Sequence, residues 1–84
     1  MTLKIERDLV EKLTTLHLIG RLRSEDLEAL KQQMNGCVTP VLDLASVTLV
    51  DVDAVRFLGS CESDGVTLLH CPAYVREWIH RERQ

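Results

Sequence analysis

The side chains best placed to do chemistry are the carboxylates Asp51 and Asp53. They stand where an apolar run, residues 47–50, gives way to helical spacing. Ala54, Phe57, Leu58 and Cys61 then fall at i, i+3, i+4 and i+7. Such strand-to-helix junctions are where α/β folds present functional groups. Carboxylates there could accept a phosphoryl group, bind a cation or contact a partner. Each also has a structural role open to it. Asp51 suits a helix cap, and Asp53 suits the first turn, where a negative charge favours the helix dipole. Two neighbouring carboxylates supply too few oxygens for a stable cation site, so no metal is expected there.

The remaining candidates are scattered. Asp43 lies inside the apolar run 41–44, and an aspartate at a strand end is expected to hydrogen-bond nearby loop amides. His17, His70 and His80 show no H-x-x-x-H or Cys/His spacing, so no metal ligand set is expected. His70 and Cys71 are adjacent, and adjacent residues of an extended chain point to opposite sides, which argues against a Cys–His catalytic pair. The sequence contains no G-x-S-x-G, P-loop or G-x-G-x-x-G. Ser24 is explained as a helix cap, and Ser46, Ser60 and Ser63 sit in no catalytic motif.

Size and charge narrow the function further. Eighty-four residues make one small domain, with little room for a deep enclosed active site. An apolar content of 45% with 27% charged residues fits a globular chain and not a disordered one. The net charge of −3 opposes a dedicated nucleic-acid binder, which needs a cationic footprint. Cys37, Cys61 and Cys71 are odd in number and lack paired spacing, so no disulfide framework is expected and a cytoplasmic location fits. The first twelve residues carry charges throughout and do not resemble a secretory leader. The most apolar stretch, 41–50, is far too short to span a bilayer.

Elements follow from periodicity. Leu3 and Ile5 alternate with Thr2, Lys4 and Glu6, the mark of a half-buried strand, and 7–12 reads as a polar connection. Residues 13–19 form a second strand, antiparallel to the first, ended by Gly20. Thr14, Leu16 and Leu18 share one of its faces; Leu13, Thr15, His17 and Ile19 share the other. Ser24 caps a helix over 24–35 with Leu27, Leu30 and Met34 in a stripe, and Gly36 suits a left-handed end. Residues 41–44 and 47–50 are extended. Asp51 caps the next helix, Gly65 breaks the chain, and 66–69 is a fourth strand. Pro72 suits the first turn of a last helix whose apolar face is Tyr74, Val75, Trp78 and Ile79. The two aromatics are expected in or at the edge of the core, since a small domain needs its large apolar groups. The order is β-β-α-β-α-β-α, which implies parallel strands joined by right-handed crossovers in the later part.

Three segments carry a family resemblance. Leu18-Ile19-Gly20-Arg21-Leu22 resembles an L-x-G-x-L strand end before the first helix. Val41-Leu42-Asp43-Leu44, then Val47-Thr48-Leu49-Val50-Asp51, resembles a run of hydrophobic-D-hydrophobic followed by hydrophobic-D. Val66-Thr67-Leu68-Leu69 resembles the next strand. Together they resemble the STAS domain, found in bacterial anti-sigma-factor antagonists and in the cytoplasmic tails of sulfate transporters. The likeness covers almost the whole chain. It implies a single small α/β domain over residues 1–84, with about four strands in a mixed sheet and three helices.

The resemblance also implies a function. In antagonists of this family a D-S-[ST]-G motif begins the second helix, and its first hydroxyl is phosphorylated by a partner kinase that is also an anti-sigma factor. The matching residues here are Asp51, Val52, Asp53 and Ala54. Val52 has no hydroxyl, so the serine switch is expected to be absent. Asp53 puts a fixed charge near the phosphate position, with less charge and fewer acceptor oxygens than a phosphate. The expectation is a non-enzymatic regulatory protein–protein interaction module in transcription signalling. Asp51, Val52, Asp53, Ala54 and Arg56 would form its contact surface, toward an anti-sigma-factor or serine-kinase-like partner, with no nucleic acid, membrane or cofactor. The alternative is a nucleotide- or anion-binding module of the same fold. An enzyme using Cys71 or the aspartates is a third possibility.

Overall fold

The computed structural model describes residues 3–36 and 40–82. Thr2 and Cys37, which the sequence reading used, lie outside them. The first two strands, β1 (Lys4–Val10) and β2 (Leu13–Leu22), form an antiparallel hairpin. Its loop is only Glu11 and Lys12, at φ 50° and 72°. Two consecutive positive φ values match the twist of the flanking strands, as in type I′ turns. The expected polar connection over 7–12 is therefore mostly strand: charge alternation in Arg7 and Asp8 hides an edge strand that runs to Val10. Gly20 does not end β2 either. It takes φ 104° within the strand, beside register shifts against the neighbouring strand, and pairing continues to Leu22.

A short 3₁₀ turn, Ser24–Asp26, leads into α1 (Leu27–Asn35). Ser24 is thus inside the turn rather than capping it. The Asp26 carboxylate instead accepts the Arg23 N–H at 3.1 Å. Gly36 has an ordinary φ of −86°, so the left-handed helix end is not observed. The Arg7 guanidinium lies 3.4 Å from where a Cβ would stand at Gly36. Residues 41–44 and 47–50 belong to one strand, β3 (Pro40–Val50). Its pairing with β2 shifts after Asp43 and again after Val47, and the expected connector at Ala45 and Ser46 lies at the first bulge. Then come α2 (Val52–Ser63), β4 (Thr67–Leu69) and α3 (Ala73–Glu82).

The sheet order is β1-β2-β3-β4, antiparallel for the first pair and parallel for the other two. This is the mixed four-stranded sheet with three helices that the sequence implied. The core forms on one side of it. Leu16, Leu18, Leu42 and Leu44 alternate inward along the central strands and are covered by Leu30, Val55, Leu58, Val75 and Ile79 from the helices. The odd-numbered neighbours Thr15, His17, Val41 and Asp43 point to the other, open face. Helix α2 buries Val55 and Gly59 as well as Ala54, Leu58 and Cys61 of its predicted stripe, because it packs against α3 in addition to the sheet, and Phe57 is half-buried. Of the two aromatics, Trp78 packs against the core, whereas Tyr74 is exposed.

Candidate functional site

The β3–α2 junction is built around one carboxylate. Asp51 has extended backbone (φ −107°, ψ 178°) and is the residue before the first helical turn of α2. Its Oδ1 accepts the Ala54 N–H at 2.9 Å, satisfying a donor that the helix itself leaves open. Its Oδ2 accepts the Ser24 N–H, also at 2.9 Å. A single side chain therefore caps α2 and pins the turn entering α1, 27 residues earlier in sequence. Partial burial pushes this carboxyl up. The Ser24 and Ala54 amides, the Ser24 hydroxyl and the Arg23 charge outweigh it and hold the group below the usual carboxylate range. Both oxygens are engaged within the fold, so Asp51 is a positioning group.

The other expected contact residues divide by burial. Val52 and Asp53 are exposed in the first turn of α2, and Arg56 is exposed one turn on. Ala54 is fully buried and shapes the surface from beneath without joining it. Arg56 Nε donates to Glu82 Oε1 at 2.9 Å, which ties α2 to the end of α3. Asp53 adds a nearby negative charge to the guanidinium. Asp53 and Arg56 also border an open groove of about 610 Å³ between α1 and α2, which Leu27, Glu28, Lys31 and Phe57 help to line. The Lys31 ammonium lies 5.7 Å from the centre of the Phe57 ring, within cation–π range.

A second cluster, on the open face of the sheet, escaped the sequence reading. Asp43 does bond a loop amide as expected, accepting the Ala45 N–H at 3.0 Å. It also stands between two imidazoles. His17 Nδ1 is 3.0 Å from Oδ2, and His70 Nδ1 is 3.1 Å from Oδ1. At these distances each ring donates its Nδ1–H to one carboxylate oxygen. Burial pushes the Asp43 carboxyl up, but the Ala45 amide, His70 and His17 together leave it below its ordinary value. His70 follows the last residue of β4 with φ 55°, and this turn brings its ring back over the sheet. The one available signal was phase: His17 and Asp43 both occupy outward positions of central strands. Only the β2–β3 register, which pairs them directly, makes them neighbours.

The two thiols among the described residues, Cys61 and Cys71, are quiet. Burial pushes Cys61 up to about 11 and also raises Cys71, so neither is an activated nucleophile at neutral pH. Among the described residues no three His, Cys, Asp or Glu side chains are arranged to hold a metal ion. No helix there is long and apolar enough to cross a membrane.

The mixed sheet, the helix layer and the capped β3–α2 junction can be set beside known proteins. The structure of the anti-sigma factor antagonist SpoIIAA in its unphosphorylated form superposes with a TM-score of 0.65 at 16% identity, over 90% of this chain and 79% of that one. The fold is STAS-like. A second solved structure, described as Mglu, matches with a TM-score of 0.60 at 27% identity over 81% of this chain. The present chain spans only 19% of the Mglu chain, so there the same architecture is one part of a much longer polypeptide. No protein-family profile matches the sequence. No curated protein matches it either.

Proposed function

We propose that this chain is a non-enzymatic regulatory docking module, of the anti-sigma-factor-antagonist type, that works without serine phosphorylation at the α2 start. The observation that carries the reading is the composition of that start. On a STAS-like fold it presents Val52 and Asp53 to solvent, with no hydroxyl between Asp51 and Ala54. Asp51 is committed to the fold through both oxygens, and Ala54 is buried. The contact surface is therefore Val52, Asp53 and Arg56, held rigidly by the Asp51 cap below them. Its partner is a signalling protein such as an anti-sigma factor or a serine-kinase-like protein.

Anion binding at the same helix end is disfavoured by the same geometry. The Ala54 amide, which an anion would use, already serves Asp51, and Asp53 adds a repelling charge. Affinity capture from the native host tests the docking reading. The unaltered chain recovers a signalling protein, and a Val52→Arg bait of equal stability does not. Equal recovery by both baits, or recovery of no signalling protein, contradicts the proposal.

A further inference from the structure

The groove between α1 and α2 indicates what the partner brings, on the reading that this helix start is a docking surface. Its floor is apolar, formed by Leu27 and Phe57, both half-buried against the core. Four charges border it, and they are not equivalent. Lys31 sits over the Phe57 ring. Arg56 is held by Glu82 at 2.9 Å. Both cations are thus engaged within the domain. Glu28 and Asp53 are exposed and enter no ion pair among the described residues, although Asp53 lies near enough to Arg56 to act on its charge. The groove therefore offers an apolar floor bordered by two carboxylates that enter no ion pair among the described residues, with Arg56 paired to Glu82 and Lys31 drawn over the Phe57 ring.

The groove walls decide the occupant's backbone. Both are α-helices, whose internal N–H and C=O groups already pair with each other. An incoming strand would find no row of free amides, as it would at a sheet edge. A helix satisfies its own backbone and can lay one apolar face on the floor without such a row. From these observations we infer that the groove receives an amphipathic basic helix of the partner protein, with apolar residues on the Leu27–Phe57 floor and lysine or arginine beside Glu28 and Asp53. Opposite charges across such a border act mainly on register and association rate, so binding weakens as salt rises.

The test uses the whole chain, 15N-labelled, and two synthetic helical peptides. One has leucines at helical spacing flanked by arginines; the other has glutamates in place of the arginines. The arginine peptide shifts the amide signals of Leu27, Glu28, Asp53 and Phe57. Asp53→Lys, checked for folding by circular dichroism, weakens it by about fivefold, the upper range for one exposed ion pair. Asp53→Asn gives a smaller loss in the same direction. Equal binding of the glutamate peptide, shifts confined to the open sheet face, or no shifts at millimolar peptide would each overturn the inference. A native partner that docks at Val52 through an acidic or uncharged surface would also overturn it, while leaving the docking proposal intact.

Discussion

Replacing Asp51 with alanine removes one side chain and two bonds. The lost bonds are from the Ala54 N–H at 2.9 Å and the Ser24 N–H at 2.9 Å. Loss of an aspartate cap costs about 1 kcal/mol, and a second bond to a charged acceptor, here near the surface, adds about 1 more. The expected destabilisation is therefore about 2 kcal/mol. A domain of 84 residues has roughly 4–12 kcal/mol in total, so the loss is a substantial share. It corresponds to a fall in Tm of roughly 8–16 °C. Asp51→Asn separates the two bonds. An asparagine has one acceptor oxygen and can serve one amide, so about half the cost is expected.

The assay is urea unfolding followed by circular dichroism, with the slope m unchanged, so that the midpoint alone reports stability. Acidity gives an independent check. The folded carboxyl lies below its unfolded value of about 3.9. Its contribution is fully present above that value and is lost as the pH falls through the lower, folded one. The gap between parent and Asp51→Ala is therefore constant near neutrality and narrows in strong acid, where the protonated carboxyl keeps one carbonyl acceptor. A destabilisation below about 0.5 kcal/mol would be indistinguishable from an ordinary surface substitution and would refute the claim that Asp51 pins both segments.

Three further outcomes follow from the same structure. Asp43→Asn leaves one of the two imidazole N–H groups facing an amide NH2, a donor, instead of a carboxylate oxygen, and costs about 1–2 kcal/mol near neutral pH. The Asp43 carboxyl is also depressed, so that loss likewise fades below about pH 4, and 15N spectra of the parent show both rings protonated at Nδ1. Iodoacetamide at neutral pH, read by peptide mapping, modifies Cys61 and Cys71 more slowly than a free thiol, Cys61 being the slower. Faster modification of Cys71 would reopen a catalytic role. Nucleotides and inorganic oxyanions, screened by thermal shift, leave Tm unchanged at concentrations where a specific ligand would raise it. A saturable rise would favour the ligand-binding alternative.

The sequence was most legible where local chemistry and periodicity agree. The alternation of residues 13–19 separated Thr14, Leu16 and Leu18, which prove to be the inward face of β2, from the opposite set, and the turn to helical spacing after Asp51 located both α2 and its cap. It was least legible where a local signal and the tertiary contact disagree. Gly20 looks like a strand end because glycine permits a positive φ, yet the neighbouring strand keeps β2 paired to Leu22. Ala45 and Ser46 look like a connector because apolar alternation stops there, and the cause is a bulge within a continuous strand. Ser24 looks like a cap by residue type, but Asp51 takes its amide from a distant part of the chain. The expected contact set was local in sequence, and its five members differ in exposure. Val52, Asp53 and Arg56 face solvent, Ala54 is core, and the Asp51 carboxylate is spent on the fold. The His17–Asp43–His70 cluster showed in the sequence only as the outward phase of His17 and Asp43, because the contact itself depends on strand order and register, which short β-α-β units leave open.

The central claim is that the exposed start of α2 meets a protein partner without a phosphate. In-cell photocrosslinking from position 52 tests it most directly, with Thr15 on the open sheet face as the reference position. A discrete crosslink to a signalling protein is expected from position 52 and none from position 15, with the crosslinked chain unphosphorylated. Crosslinks from position 15 alone, or a phosphate on Ser46 or Ser60 in the crosslinked chain, would contradict it.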